Sequence, residues 1–101
     1  MKVLMVCSGG MSSALVVDKV KEEAEKDGLS LDMVAVGTTE FENELKNYDL
    51  GLVAPQVKHR FSKLQKVGEE VDIPVALIEP MNYTPMGGRK ILNQIKSHIS
   101  E

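Results

Sequence analysis

Four short runs in this chain are almost wholly apolar, and in the longer stretches between them apolar residues recur at three- and four-residue steps. The runs are Val3–Val6, Leu31–Val36 with Asp32 near its start, Leu50–Ala54 and Val75–Ile78. Each is too short for a helix and is rich in aliphatic side chains, so each predicts a strand. Leu50–Ala54 has no polar side chain, as expected of a strand covered on both faces. The stretches between carry the helical period. The first helix is predicted from Ser12 or Ser13 to Lys26, with Leu15, Val16, Val20 and Ala24 inward. Lys19, Glu22, Glu23 and Glu25 face water, and Asp27-Gly28 is the stop signal.

Residues 37 to 48 read as a short helix, with Thr38 or Thr39 and Glu42 as a capping box and Phe41 and Leu45 as an apolar pair. A further helix is predicted from Gln56 or Val57 to about Glu70. It sets Val57, Phe61, Leu64, Val67 and Val71 against Lys58, Lys63 and Lys66, read as a solvated face. Residues 79 to 87 hold Pro80 and Pro85 and show no periodicity, so they predict a loop. A last helix presents Ile91, Leu92, Ile95 and Ile99.

Strand and helix alternate four times. That alternation predicts an α/β fold, a single-domain open four-stranded parallel sheet with helices on both faces. Right-handed crossovers and a central first strand favour the order 2-1-3-4. Ligands in such sheets bind outside the carboxyl ends of the strands, at the point where the chain switches faces. Here that point lies between the first and third strands, so Cys7–Ser13 and Ala54-Pro55-Gln56 are expected side by side.

Length and charge narrow the possibilities. The 101 residues suit one domain with one core. A net charge of −3, no tryptophan and few aromatics argue against nucleic-acid binding. One cysteine forms no internal disulfide, which suits a reducing compartment and a free thiol. His59 and His98 are isolated surface residues and no metal-ligand spacing exists, so neither a metal nor another cofactor is expected. Leu4-Met5-Val6-Cys7 loosely echoes a lipid-attachment box, but the six residues before Cys7 are too few for a signal segment. No apolar stretch reaches membrane-spanning length, and a soluble, cytoplasmic protein with no direct membrane insertion is the expectation.

The chemistry concentrates in Cys7-Ser8-Gly9-Gly10-Met11-Ser12-Ser13. A strand leads into this turn and a helix leaves it. The unpaired N–H groups of the first helical turn and the positive end of the helix dipole therefore converge on one spot, which suits a dianion. Gly9 and Gly10 permit close backbone approach, and Ser8, Ser12 and Ser13 add hydroxyl donors. A thiolate at the rim of such a cradle is a ready nucleophile.

Two chemistries use a cysteine in this setting. The low-molecular-weight tyrosine phosphatase type, which shares the expected fold, clamps the phosphoryl oxygens with an arginine six residues after the cysteine. Here that position is Ser13, although Glu79-Pro80 loosely resembles the Asp-Pro general acid of that type. An anion-binding or redox module would use the same loop, but no resolving cysteine is present.

The second chemistry is phosphoryl relay. Cys7-Ser8-Gly9-Gly10-Met11-Ser12-Ser13-Ala14-Leu15 resembles the active loop of the enzyme IIB components of the sugar phosphotransferase system, in the lactose/cellobiose (chitobiose) family. The resemblance covers the whole chain, residues 1–101, as one IIB-type domain. Pro55-Gln56 after the third strand matches the family's Pro-Gln turn, and Tyr83 matches a tyrosine of the last loop. Glu79 stands where family members often carry aspartate.

The resemblance implies that Cys7 takes a phosphoryl group from a phosphohistidine of enzyme IIA. It then donates that group to a sugar of the cellobiose, chitobiose or lactose class held in the membrane enzyme IIC. Residues 8 to 13 would bind the phosphate, with Pro55, Gln56 and Tyr83 as second-loop neighbours. A relay protein must meet two partners in turn. Cys7 is therefore expected at the surface, ringed by exposed Met11, Met81, Tyr83 and Met86.

Overall fold

The four apolar runs form four strands: β1 (Lys2–Val6), β2 (Asp32–Val36), β3 (Leu50–Val53) and β4 (Val75–Leu77). In the computed structural model, which describes residues 1–7 and 11–99, they pair in parallel in the order β2-β1-β3-β4, as expected. The helices between them are α1 (Met11–Lys26), α2 (Thr38–Glu44), α3 (Phe61–Val71) and α4 (Gly88–Ile99). Among the described residues no helix is long and apolar enough to cross a membrane.

The two-residue alternation of the strands sorts the core into two layers. Val3, Met5, Leu50, Leu52, Ala76 and Ile78 pack with Val16, Val17, Val20 and Ala24 of α1 and Ile91, Leu92 and Ile95 of α4. Leu4, Val6, Val53 and Val75 face the other way, against Phe41, Leu45, Val57 and Leu64. So α1 and α4 cover one face and α2 and α3 the other, and β1 and β3 flank the switch. At Gly51 the second layer is pressed tight. A Cβ there would stand 2.7 Å from the Phe41 ring and 3.1 Å from Leu45.

Several expectations need correction. Leu15 is 56% exposed, because the buried stripe of α1 is Val16, Val17, Val20 and Ala24, and Leu15 lies beside it rather than on it. The helix at Thr38 has no capping box. Gly37 is its N-cap, so both threonines are already inside the first turn and no side chain caps it.

The helix predicted from Gln56 or Val57 splits in two. Pro55–Arg60 is a tighter 3-10 turn, interrupted at Val57, which has φ −118° and ψ 25°. The α-helix begins only at Phe61. Val71, at the end of α3, is 36% exposed. The loop of residues 79 to 87 contains 3-10 turns at Pro80–Asn82 and Pro85–Gly87. Ile91, Leu92 and Ile95 are buried as expected, whereas the Ile99 side chain lies outside the described residues.

The helix ends follow their local chemistry. Gly28 takes the left-handed conformation that glycine favours after a helix, with φ +72°. Its N–H donates to the Glu25 carbonyl at 3.0 Å, and Leu29 N–H donates to Ala24 at 2.9 Å. Asp72 fills the same left-handed role after α3. One charged cluster joins α1 to α4. Arg89 donates to both carboxylate oxygens of Asp27, at 2.6 and 3.1 Å, and to Glu23 at 3.1 Å, while Lys96 also donates to Asp27. Glu23, expected in open water, is thereby half-buried. The Arg89 guanidinium, then the Lys96 ammonium, hold the Asp27 carboxyl well below the usual carboxylate range.

Candidate functional site

Cys7 is the residue that follows β1, and the sheet ladder continues through it: its N–H donates to the Val36 carbonyl at 3.0 Å. On the other side Ala54 N–H donates to Val6 at 3.0 Å, and Ile78 N–H donates to Val53 at 2.9 Å. Val36, Val6, Val53 and Leu77 are register partners, so the residues after them form the next row: Gly37, Cys7, Ala54 and Ile78. This row is the carboxyl edge of the sheet. Alternation puts Cys7, Ala54 and Ile78 on the α1/α4 face, where Ile78 joins the core.

The thiol-bearing residue is therefore less open than expected. Cys7 is 5% exposed, and Ala54 and Ile78 are fully buried beside it. The physical reason is the central position of β1. A residue one step beyond the middle strand of a covered parallel sheet has a strand neighbour on each side and helices over it. The expectation of a surface cysteine considers the loop that follows Cys7 and overlooks the strands that flank it.

The helix that follows starts at Met11, one or two residues earlier than the sequence predicts. Its first turn carries no carboxylate, so no side-chain anion competes for the unpaired amides and the positive dipole end there. Ser8, Gly9 and Gly10, and the side chains of Met11, Ser12 and Ser13, lie outside the described residues.

The second loop sits where topology puts it. Ala54 is bonded to β1, Pro55 is half-buried and Gln56 is exposed at the start of the 3-10 turn. Tyr83 is only half-exposed and packs against the α1/α4 core layer, so it is a wall of the site's face more than part of an exposed ring. Met81 (75%) and Met86 (96%) are exposed as expected. They ride on a loop tied by its own bonds: Asn82 N–H to Glu79, Tyr83 N–H to Pro80, and Gly87 N–H to the Thr84 hydroxyl and carbonyl. A Cβ at Gly87 would meet the Asn82 carbonyl at 2.1 Å, so only glycine lets this loop close.

Two site features escaped sequence reasoning. Leu15, exposed one turn into α1, adds an apolar side chain at the end of the helix nearest the cysteine. Its signal was present, since Val16, Val17, Val20 and Ala24 already complete a stripe without it. Gln94 donates to the Leu77 carbonyl at 2.9 Å and ties α4 to the end of β4, a contact that no local pattern signals.

The arrangement is thus a lone cysteine at the carboxyl edge of a parallel sheet, at the switch point, with a carboxylate-free helix start behind it. The family model of the lactose/cellobiose-specific IIB subunits of the phosphotransferase system (PTS) matches residues 2–94. The chain is 35% identical to the PTS oligo-beta-mannoside-specific EIIB component of Bacillus subtilis (strain 168), over 95% of this chain and 93% of that one. It is 28% identical to the lactose-specific EIICB component of Staphylococcus epidermidis, where 97% of this chain matches 17% of the longer protein. In fold it superposes on the lactose-specific IIB domain of Streptococcus pneumoniae with a TM-score of 0.87 at 22% identity, covering 99% of this chain and 98% of that one. Sequence and fold converge, and the chain belongs to the lactose/cellobiose-specific IIB subunits of the sugar phosphotransferase system.

Proposed function

We propose that Cys7 is the residue of this phosphotransferase that carries the phosphoryl group, and that residues 1–101 act as one IIB domain. The observation that carries the reading is the position of Cys7 at the end of β1, at the switch point, immediately before a helix whose first turn lacks carboxylates. In the first step the Cys7 sulfur attacks phosphorus. The S–P bond forms, the P–N bond to the donor's histidine breaks, and the departing ring keeps the electron pair and takes up the proton that the thiol gives up, leaving as neutral imidazole. In the second step a sugar hydroxyl oxygen attacks the same phosphorus, the S–P bond breaks and the thiolate leaves with its pair. The hydroxyl proton passes to a base on the acceptor side.

IIB components work with IIA and IIC partners, which here are the donor and the holder of the sugar. For this chain the sugar is a β-glycoside of the cellobiose, chitobiose or lactose class, and the site of action is the cytoplasmic face. Main-chain amides of residues 8 to 13 and the α1 dipole hold the transferring dianion. Pro55 and Gln56 border it from the neighbouring strand, and Tyr83 closes the α1/α4 side. Because Cys7 is nearly buried, the phosphorus must be brought into a recess, which limits access by water and favours transfer to a docked partner over hydrolysis.

The hydrolase reading is disfavoured by Ser13, which stands where a phosphatase of this shape has its arginine clamp. The test is direct. Incubated with phosphoenolpyruvate and the upstream phosphotransfer proteins, the chain should gain one phosphoryl group by intact mass, and Cys7→Ala should gain none. Phosphorylation that survives Cys7→Ala, or turnover of an aryl phosphate by the isolated chain, overturns the reading.

A further inference from the structure

Between Asp49 and Glu69 the chain has no acidic residue, yet it carries Lys58, Arg60, Lys63 and Lys66, with His59 among them. The remainder holds eight lysines and arginines against fifteen acids. A chain that is negative overall thus gathers unopposed positive charge in one stretch. Lys58, His59 and Arg60 are consecutive, all exposed, and lie in the single turn Pro55–Arg60. Among the described residues none of these three makes an ion pair. By contrast Lys19, Lys26, Lys63, Arg89 and Lys96 have carboxylate partners, and of the lysines and arginines without one among the described residues only Lys58 and Arg60 stand within two positions of each other. Internal contacts explain those cations but not the charge of this turn.

The turn leaves the sheet beside the cysteine, from Ala54, whose N–H is bonded to Val6 at 3.0 Å. Lys58 to Arg60 lie four to six residues along the chain from Ala54, on the order of 10 Å at the rise of a 3-10 turn. That exceeds the ~8 Å Debye length at physiological ionic strength, so their field at the carboxyl edge of the sheet is largely screened there and strengthens as salt is lowered.

We propose that Lys58, His59 and Arg60 form a docking element for the phosphorylated donor protein, one with acidic side chains around its phosphohistidine. The inference rests on the assignment of Cys7 above. Its logic is the movement of charge. Before transfer the incoming donor carries the phosphoryl dianion and the cysteine does not, so attraction to the turn is greatest. After transfer the dianion sits next to the turn and offsets it, and the donor has lost the same charge, so its hold weakens. The turn thus separates loaded from spent donor. A sugar hydroxyl brings no charge, and the second step draws nothing from this element.

The test uses Lys58→Glu/Arg60→Glu and, as a milder pair, Lys58→Gln/Arg60→Gln, both confined to exposed side chains. The quantity measured is the second-order rate constant for phosphorylation of Cys7 by phosphorylated IIA, from low to high salt. Charge reversal should lower it by roughly tenfold or more at low salt, with the neutral pair intermediate. The gap should close as salt is raised, while the final extent of phosphorylation and the thermal unfolding temperature stay unchanged. Equal rate constants and salt slopes overturn the proposal, as does a loss that high salt does not relieve. Variants that transfer normally but no longer bind vesicles containing anionic lipid also overturn it, by assigning the turn to a membrane surface. Failure of the unaltered chain to gain phosphate on Cys7 is read separately, from its own mass, and overturns the assignment of Cys7 itself together with this inference.

Discussion

Cys7 and Ser13 divide the chemistry between them by what each is and is not. In the proposed relay Cys7 would supply a polarizable nucleophile at the edge of a sheet, in a row with the buried Ala54 and Ile78. Ser13 leaves out the guanidinium that would grip a phosphoryl group through the hydrolytic transition state. Ser13→Arg should therefore shorten the lifetime of the phosphorylated cysteine in water by roughly tenfold or more, given the worth of one well-placed donor. An unchanged lifetime, followed by intact mass over time, would show that the missing arginine is not what protects the intermediate. Burial separates two other residues that look alike in the sequence. Ile95→Ala should cost about 2–5 kcal/mol in urea unfolding, because it opens a cavity in the α1/α4 layer. Leu15→Ala should stay within about 0.5 kcal/mol of the parent in the same measurement, as surface substitutions usually do. The Leu15 side chain is 56% exposed and holds nothing together.

At the scale of the elements, close approach decides which residue types are tolerated. Gly51 lets α2 settle against β3, with the Phe41 ring and Leu45 in the space a side chain would need. Gly51→Ala should destabilise by about 1–3 kcal/mol through overpacking, read as a lower urea midpoint with an unchanged m-value. A neutral outcome would mean that α2 slides away without loss. The turn Pro55–Arg60 illustrates a different control. Pro55 suits the first position of a helical turn, yet Val57 departs from helical geometry, so α3 starts later than the apolar spacing suggests. That delay leaves Gln56 at the carboxyl edge of the sheet and projects Lys58 and Arg60, with His59 between them, beyond it. A helix running straight from Gln56 would have spread these side chains down its length.

For the whole molecule, the two helices of one face are joined at one end by charge as well as by packing. Asp27, held by Arg89 and Lys96, and Glu23, held by Lys26 and Arg89, both ionise more readily in the folded chain than unfolded. The sign follows from that direction. A carboxylate with a lowered folded value contributes stability that is complete above its unfolded value, near pH 4, and is lost as pH falls toward the folded one. Asp27→Asn should thus be less stable than the parent at neutral pH, and the difference should shrink as pH is lowered through about 4. It should shrink with added salt too, since the cluster is open to solvent. A difference independent of pH and salt, measured by chemical unfolding, would mean that Asp27 acts through packing.

Elements and their order were legible because period-two and period-3.6 patterns are properties of neighbours along the chain. The strands, the stop at Asp27-Gly28 and the cysteine turn all rest on local stereochemistry. Where reading failed, the deciding contact came from elsewhere. Thr38 and Thr39 look like caps until the start of α2 is set by Gly37. Tyr83 looks like an exposed loop residue until the α1/α4 layer receives it. In the candidate site, the places of Cys7 after β1 and of Pro55-Gln56 after β3 were legible, while the contact of Gln94 with Leu77 was not.

Taken alone, the sequence determined the alternation of strands and helices, the sheet order that chirality imposes on it, and a cysteine at the place where the chain changes sides. Only the tertiary structure decided that Cys7 is nearly buried, that Leu15 is not, and that Lys58 and Arg60, in the turn after β3, have no carboxylate partner among the described residues. The physical reason is that burial and charge balance are sums over all neighbours in space. A chain specifies those neighbours only by folding.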